Sequence, residues 1–243
     1  MNGIIETLLS HRSIRRFRDE PVPDEHLLEA VRAGQAASTS SAVQAYCAIR
    51  VTDLQMRREL VALTGNQEKV ARCGAFLAIC GDTRRHRLAG QLHGRSHASS
   101  LEAFVVAVVD ASLFAQNLCV ALESMGYGIC YVGGLRNHLR DVDRLLAIPE
   151  GVYPFFGLCV GVPDEEPIAR PRLAPRAVLF ENRYPDDATM IALMQEYDGP
   201  YREYLAARGA AAKPWTESMA EKFTRPERTD VGPYYREKGA VLE

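Results

Sequence analysis

A histidine, a serine and three arginines lie close together near the start of the chain, in the segment His11-Arg12-Ser13-Ile14-Arg15-Arg16-Phe17. An arginine side chain presents a planar fork of N–H donors that fits two phosphate oxygens, and a serine hydroxyl with nearby backbone amides can complete the shell. The segment therefore predicts an anion site suited to a phosphate. A solvated basic turn is the alternative, and the segment alone does not decide between the two.

Two further segments carry small residues that would let a ligand come close to the chain. Ser38-Thr39-Ser40-Ser41 places hydroxyl groups in succession, which can donate to a ligand without filling its space, or can form an ordinary polar loop. Tyr131-Val132-Gly133-Gly134-Leu135 carries a predicted strand into a double glycine, where missing Cβ atoms would expose the backbone amides. A left-handed turn between a strand and a helix is an equal alternative for the glycines.

Arginines recur after the last predicted strand, in Arg170-Pro171-Arg172. These cations could reach a phosphate or a ring carbonyl, and they could equally be solvated loop charges. His86, His93 and His97 lie in one polar stretch whose spacing suits a loop better than a metal site, and we predict no metal.

The bulk composition is that of an ordinary globular protein, with 47% apolar and 25% charged residues and a net charge of −2. We therefore predict binding neither to nucleic acid nor to a membrane. The longest apolar segment, residues 104–122, is interrupted by polar side chains and indicates a buried helix rather than a membrane span. The six cysteines form no C-x-x-C pair, which favours buried thiols in a reducing compartment. The first residues lack the pattern of a signal peptide, so we predict a cytoplasmic protein.

Helices and strands alternate along the chain, and these elements must hold the polar segments in place. Periodicity and end signals predict helices at residues 3–10, from Asp24 (the expected cap), 53 to about 65, about 100–124, 137–146 and from 186 onward. Apolar runs predict strands at residues 46–51, 75–80, 127–132 and 155–162. No G-x-G-x-x-G follows a strand, so the usual dinucleotide fold has no support. We predict one domain, residues 1–243, with a C-terminal helical extension at about 186–243.

The order of these segments resembles the nitroreductase family. His11-Arg12-Ser13-Ile14-Arg15-x-Phe17 followed by Glu20-Pro21-Val22 is similar to the opening of that family. The remainder is similar to one branch, the oxygen-insensitive NADPH nitroreductases and NADPH–flavin oxidoreductases. The matching segments are the serine-rich run, Leu63-Thr64-Gly65-x-Gln67, Val109-Asp110-x-x-x-x-Ala115-Gln116-Asn117, Gly133-Gly134-Leu135-Arg136-Asn137, Phe156-Gly157-Leu158-Cys159 and Pro171-Arg172-Leu173. The resemblance covers essentially the whole chain.

The resemblance implies an α+β fold in which helices flank a mixed sheet and two chains form an intertwined homodimer. It also implies FMN as the cofactor, bound where the two subunits meet. The implied FMN-binding residues are His11, Arg12, Ser13, Arg15, Thr39, Ser41, Gln67, Tyr131, Val132, Gly133, Gly134, Arg170 and Arg172. Of these, Thr39 and Ser41 would reach the flavin of the partner subunit, and the Gly133 and Gly134 amides would face its N5 and O4 edge. Thr39 and Arg170 stand where the family has serine and lysine.

The resemblance further implies NADPH as the electron donor, and the candidate contacts are Arg15, Arg136, Arg208 and Lys213. In this branch, a flexible loop before a tryptophan holds the 2′-phosphate of NADPH. Here the loop is Arg208-Gly209-Ala210-Ala211-Ala212-Lys213-Pro214-Trp215, which is shorter and rich in alanine, so Arg208 and Lys213 are its remaining cations. Ala42 replaces an aromatic residue of the family, a change that would enlarge the acceptor pocket.

The implied function is the reduction of nitroaromatics, quinones or free flavin by NADPH in a ping-pong mechanism. No catalytic side chain is then needed, because FMN itself accepts and donates the hydride. Two alternatives remain open: a dedicated biosynthetic flavin oxidoreductase that acts on a specific metabolite, and a non-catalytic flavin-binding protein. The sequence does not name the physiological acceptor.

Overall fold

The computed structural model describes residues 3–242, and their contacts divide the chain into two compact units. The larger unit runs to Glu166 and resumes at Arg228, and the smaller unit comprises Pro167–Glu227. The helical extension expected at about 186–243 is therefore shared between the units, because its last helix belongs to the larger one. That residues 1–243 act as one domain stays a prediction.

The predicted elements appear in the expected order, with bounds that differ by a few residues, and the structure adds two short helices, at residues 69–72 and 84–92, that were not predicted. They are α1 (Gly3–Leu9), α2 (Asp24–Gln35), β1 (Tyr46–Val51), α3 (Leu54–Leu63), α4 (Lys69–Arg72), β2 (Ala75–Asp82), α5 (Arg84–Leu92), α6 (Leu101–Ser124), β3 (Gly128–Val132), α7 (Leu139–Leu146), β4 (Val152–Gly161), α8 (Asp187–Ala207), α9 (Trp215–Lys222) and α10 (Val231–Glu237). Helices α8 and α9 belong to the smaller unit, and the other elements belong to the larger one.

The strands of the larger unit form one sheet in the order β1-β2-β4-β3, in which each neighbouring pair is antiparallel. Every residue of β2 is buried, because alternate residues face two separate hydrophobic clusters, one on each side of the sheet. The α+β class is confirmed. Within the described residues the sheet is antiparallel rather than mixed, and its parallel pairing is limited to the bridge between Ser13 and Ile129.

Helix α6 is apolar around most of its circumference, and we expected it to run through the core. One side is buried against the sheet and α2, through Ala111, Phe114, Ala115, Leu118 and Leu122. The opposite side exposes Val105, Val109 and Leu113, each by 43–48%. By length and composition α6 could also cross a membrane, yet its packing is that of a core helix. An apolar stripe therefore lies uncovered in the single chain.

Two local predictions are wrong. Asp24 does not cap α2, because Pro23 occupies the cap position and the Asp24 carboxylate accepts a hydrogen bond from Arg50 at 2.6 Å. The stretch around His86 is helical, as α5, rather than a loop, and His86 Nε2 lies 2.8 Å from the carbonyl oxygen of Val43. Sequence reasoning missed α5 because its first four residues, 84–87, are polar and the segment shows no clear apolar stripe.

Candidate functional site

The basic segment, residues 11–17, is laid against the end of the sheet by its two apolar residues. Ile14 N donates to the Ile129 carbonyl oxygen at 2.9 Å, and Phe17 forms a bridge to the chain beyond β4. Ile14 and Phe17 are buried, whereas Arg15 between them is exposed. The apolar residues thus fix the backbone of the segment and leave its cations outside the core.

Arg12 has surroundings that a solvated turn does not explain. Its Nε atom is buried and has no hydrogen-bond partner among the described residues. A buried donor left without an acceptor costs on the order of 1–3 kcal/mol, and native proteins normally satisfy such groups. An anion beside Arg12 would supply the missing acceptor. The donor set of the basic segment therefore fits the phosphate of a nucleotide-like cofactor.

Two carboxylates from distant parts of the chain hold the basic segment. Glu165 Oε1 accepts from the backbone amides of Arg15, at 2.5 Å, and Arg16, at 3.1 Å. Glu123 Oε1 lies 2.6 Å from Nδ1 of His11. These bonds orient the backbone and the imidazole of the segment, so the shape of the anion site is set before a ligand arrives.

The glycine turn, Gly133–Asn137, follows β3 directly as a tight 3₁₀ turn. Neither Gly133 nor Gly134 has a positive φ, so the left-handed turn considered from the sequence is wrong. A Cβ atom on Gly134 would overlap the Thr64 carbonyl oxygen and Nε2 of Gln67, whereas one on Gly133 would meet nothing closer than 3.5 Å. Gly134 is thus required for packing, and Gly133 leaves space at the backbone.

Gln67 is held beside Gly134 by hydrogen bonds at both ends of its side-chain amide. Its Nε2 donates to the Thr64 carbonyl oxygen at 2.6 Å, and its Oε1 accepts from Lys69 Nζ at 2.5 Å. These bonds fix which end of the amide faces which way, and Lys69 adds a cation at the same place.

Tyr131 and Val132 differ sharply in exposure, as neighbours on a strand do. Val132 is fully buried, so only its backbone can meet a ligand, whereas Tyr131 is 37% exposed. The Tyr131 hydroxyl lies 3.3 Å from Cys119 Sγ and 3.4 Å from Oε1 of Gln116. Burial raises the pKa of Tyr131, and it raises the pKa of Cys119 to about 12, so both groups stay protonated at neutral pH.

The hydroxyl loop, residues 38–44, precedes the edge strand β1. It contains three non-glycine residues with left-handed backbone angles: Ser41 (φ 47°), Ala42 (φ 58°) and Gln44 (φ 51°). Such a conformation costs free energy and persists where neighbours impose it; here Asp110 Oδ2 accepts from the amide of Ala45 at 3.0 Å. Thr39 is half-buried and Ser41 is exposed.

The hydroxyl loop and the basic segment lie at opposite edges of the sheet. The loop leads into β1, whereas Ser13 of the basic segment pairs with Ile129 in β3. Neighbouring strands are spaced by about 4.8 Å, so the two edges are roughly 14 Å apart. One chain therefore does not bring Thr39 and Ser41 onto the basic segment.

The smaller unit brings together two of the predicted cations. The guanidinium carbons of Arg170 and Arg208 lie 5.5 Å and 5.4 Å from the ring centre of Tyr204. Arg208 Nη1 also donates to the Tyr204 hydroxyl at 2.9 Å. The neighbouring cation Arg172 is exposed.

The other candidate NADPH contacts already have partners. Lys213 Nζ lies 2.7 Å and 2.9 Å from the two carboxylate oxygens of Glu221, at an exposed position. In the larger unit, Arg136 Nη1 donates to the Phe155 carbonyl oxygen at 2.5 Å. The roles of Arg15, Arg136, Arg208 and Lys213 towards NADPH stay predictions.

Family models match both parts of the sequence. The nitroreductase family matches residues 8–162, and the nitroreductase family C-terminal domain matches residues 170–243. This chain belongs to the nitroreductase family.

Full-length relatives of known activity accompany the family match. The FMN reductase (NADPH) of Bacillus subtilis is 42% identical and the oxygen-insensitive NADPH nitroreductase of Salmonella typhimurium is 36% identical, each over 98% of both chains. Among solved structures, the NADPH:FMN oxidoreductase from Vibrio harveyi, complexed with NAD+, has a TM-score of 0.91 at 37% identity, with 100% of both chains covered. The resemblance drawn from the sequence is confirmed.

Several side chains of this nitroreductase-family site escaped the sequence analysis. Glu165 lies 150 residues from Arg15, and no local pattern joins them. Nothing in the local sequence distinguishes Lys69 and Glu123 from ordinary charged residues on a helix surface. Tyr204 could have been found from the sequence. Tyr197, Tyr201 and Tyr204 recur at helical spacing, which indicates an aromatic face on one helix.

Proposed function

We propose that this chain is a soluble, cytoplasmic, FMN-dependent oxidoreductase that uses NADPH to reduce nitroaromatics, quinones or free flavin by a ping-pong mechanism. The observation that carries the proposal is the buried Nε of Arg12, which lacks an acceptor among the described residues. The relatives named FMN reductase (NADPH) and oxygen-insensitive NADPH nitroreductase support it. The buried Arg12 donor supports an anion site that the phosphate of FMN would fill.

The proposed phosphate ligands follow from the donors of the basic segment. Arg12 and Arg15 supply cations, Ser13 supplies a hydroxyl, and His11 supplies a ring that Glu123 orients. The resemblance adds Arg170 and Arg172 as further cations. A terminal phosphate fits this set better than the adenylate of FAD would, because charge-assisted bonds to a dianion are the strongest that such donors make.

The proposed ring contacts bind and orient the flavin. When bound, FMN accepts a hydride from the nicotinamide and later gives it to the acceptor. The backbone amides at Gly133 and Gly134 would donate to the ring edge where negative charge develops. Gln67, with its amide fixed by Lys69, would donate or accept in one orientation only.

The active form is proposed to be a homodimer. Thr39 and Ser41 lie at the opposite edge of the sheet from the basic segment, which supports a site in which a second chain provides them. The exposed stripe of Val105, Val109 and Leu113 on α6 supplies an apolar surface for that second chain. Completion of the site and burial of the stripe then happen together.

The purified protein tests this function directly. We expect the absorption spectrum of an oxidised flavin, release of FMN rather than FAD on denaturation, and steady NADPH oxidation when a quinone such as menadione is added. A colourless protein that takes up no FMN would contradict the proposal. A yellow protein that turns over no quinone or nitroaromatic would support instead the flavin-binding alternative.

A further inference from the structure

Tyr204 is a buried phenol that two arginines share. The side chain is 8% exposed, and both guanidinium groups lie within 5.5 Å of its ring centre. Burial alone would raise the pKa of Tyr204, but the hydrogen bond from Arg208 and the charges of both arginines outweigh it and lower that pKa. Arg208 is therefore tied to the Tyr204 hydroxyl, and Arg170 lies over the Tyr204 ring.

Tyr204 lies on a face of α8 that also holds the neighbouring segments of the smaller unit. Tyr204 and Tyr197 are seven positions apart on α8, which puts them on the same helix face. The Tyr197 hydroxyl donates to the Pro171 carbonyl oxygen at 2.5 Å, so this face also fastens the backbone between Arg170 and Arg172. The Trp215 ring, at the end of the alanine-rich loop, packs on Tyr197 at 5.8 Å. The face thus fastens the backbone beside Arg170 and one end of the loop that starts at Arg208.

We propose that Tyr204 is a positioning residue that holds Arg208 ready for the 2′-phosphate of NADPH. An arginine loses much rotational freedom when it grips an anion, and prior fixation by Tyr204 removes part of that cost. Selectivity for NADPH then depends in part on the Tyr204 hydroxyl. This inference rests on the proposed function of the chain.

The competing account makes Tyr204 a packing residue of the smaller unit. A phenylalanine would then serve equally well, because it keeps the ring and its contacts with both cations. Tyr204→Phe separates the two accounts, since it removes only the hydroxyl. Tyr201→Phe is the matched control: it is the same change on the same helix, and among the described residues no hydrogen bond reaches the Tyr201 hydroxyl.

The first readout needs no turnover. Adenosine 2′,5′-bisphosphate and 5′-AMP, titrated against the holoenzyme, differ only in the 2′-phosphate. We expect Tyr204→Phe to weaken the bisphosphate about three- to tenfold and leave 5′-AMP unchanged, as loss of part of one charge-assisted bond predicts. The Kd for FMN, measured on the apoprotein by flavin fluorescence, should stay that of the parent, because the phenylalanine ring keeps the contact with Arg170. Tyr201→Phe should match the parent in both measurements.

A double-mutant cycle shows whether Tyr204 acts through Arg208. In an Arg208→Ala background, Tyr204→Phe should have no further effect on bisphosphate binding. If Tyr204→Phe leaves the affinity for the bisphosphate unchanged, the positioning role is overturned while the proposed function survives. The same holds if its effect on that affinity persists without Arg208. A parent protein that binds both nucleotides equally and retains no FMN overturns both.

Discussion

Arg12 and Arg15 are close in sequence, yet the fold gives them different tasks. Arg12 has a buried Nε with no acceptor among the described residues, whereas the amide of Arg15 is anchored by Glu165 and its side chain is exposed. A buried donor has already paid its desolvation cost, so it gains most from an incoming anion. We therefore expect Arg12 to contribute the larger share of FMN binding.

Replacing Arg12 should release the cofactor. We expect Arg12→Ala to raise the Kd for FMN by about ten- to a hundredfold, because charge-assisted bonds contribute on the order of 1.5–3 kcal/mol each. Fluorescence titration of the apoprotein gives that Kd. Arg18→Ala is the control, because Arg18 is exposed and its ion pair with Glu20, at 4.0 Å, is a loose surface pair. Equal FMN affinity in the two variants would contradict the role of Arg12.

Arg208 and Lys213 should contribute unequally to NADPH selectivity. Arg208→Ala should raise KM for NADPH by roughly ten- to a hundredfold and leave NADH oxidation nearly unchanged. Lys213→Ala should raise KM for NADPH by less, because Lys213 is exposed and is already paired with the Glu221 carboxylate. The ratio of kcat/KM for the two nicotinamides, measured at low salt, gives the result. If neither variant changes this ratio, the loop assignment is wrong, although FMN binding would be unaffected.

At the scale of elements, the two glycines of the glycine turn have different roles: Gly134 is required for packing, and Gly133 leaves space for a ligand. Gly134→Ala should destabilise the fold by about 1–3 kcal/mol, because its methyl group would overlap the Thr64 carbonyl and Gln67. Gly133→Ala should unfold at the denaturant concentration of the parent but bind FMN more weakly. Urea unfolding and FMN titration of both variants give these values. The reverse pattern would place the ligand at Gly134 instead.

The elements show what a sequence can and cannot predict here. All four strands were predicted, and so were helices whose apolar stripe is visible in the sequence, whether that stripe is buried, as in α6, or exposed, as in α1. The helix α5 was missed because its first four residues are polar and show no such stripe, and the cap of α2 was misplaced because Asp24 has a partner, Arg50, on another element. The basic segment was predicted as a candidate anion site, but its supports Glu123 and Glu165 were not, because only the folded chain brings them near.

At the scale of the whole molecule, the uncovered stripe on α6 should control assembly. Light scattering of the parent should give about twice the chain mass of 26.9 kDa. Val109→Lys places a charge in the middle of the stripe and should shift the protein towards monomers with weak FMN binding, because an unpaired charge is costly in an apolar interface. Val109→Leu is the control. A Val109→Lys dimer with full FMN content would mean that the second chain binds elsewhere.

The claim that ties these scales together is that one flavin site needs residues from two chains. It can be measured with a heterodimer of Arg12→Ala and Ser41→Glu chains, purified through two different tags. Each homodimer carries its defect in both sites and should retain little FMN. In the heterodimer, one site combines both defects and the other has neither. The account predicts about one FMN for every two chains, as two-fold symmetry requires. A heterodimer with no more FMN than the two homodimers would contradict it.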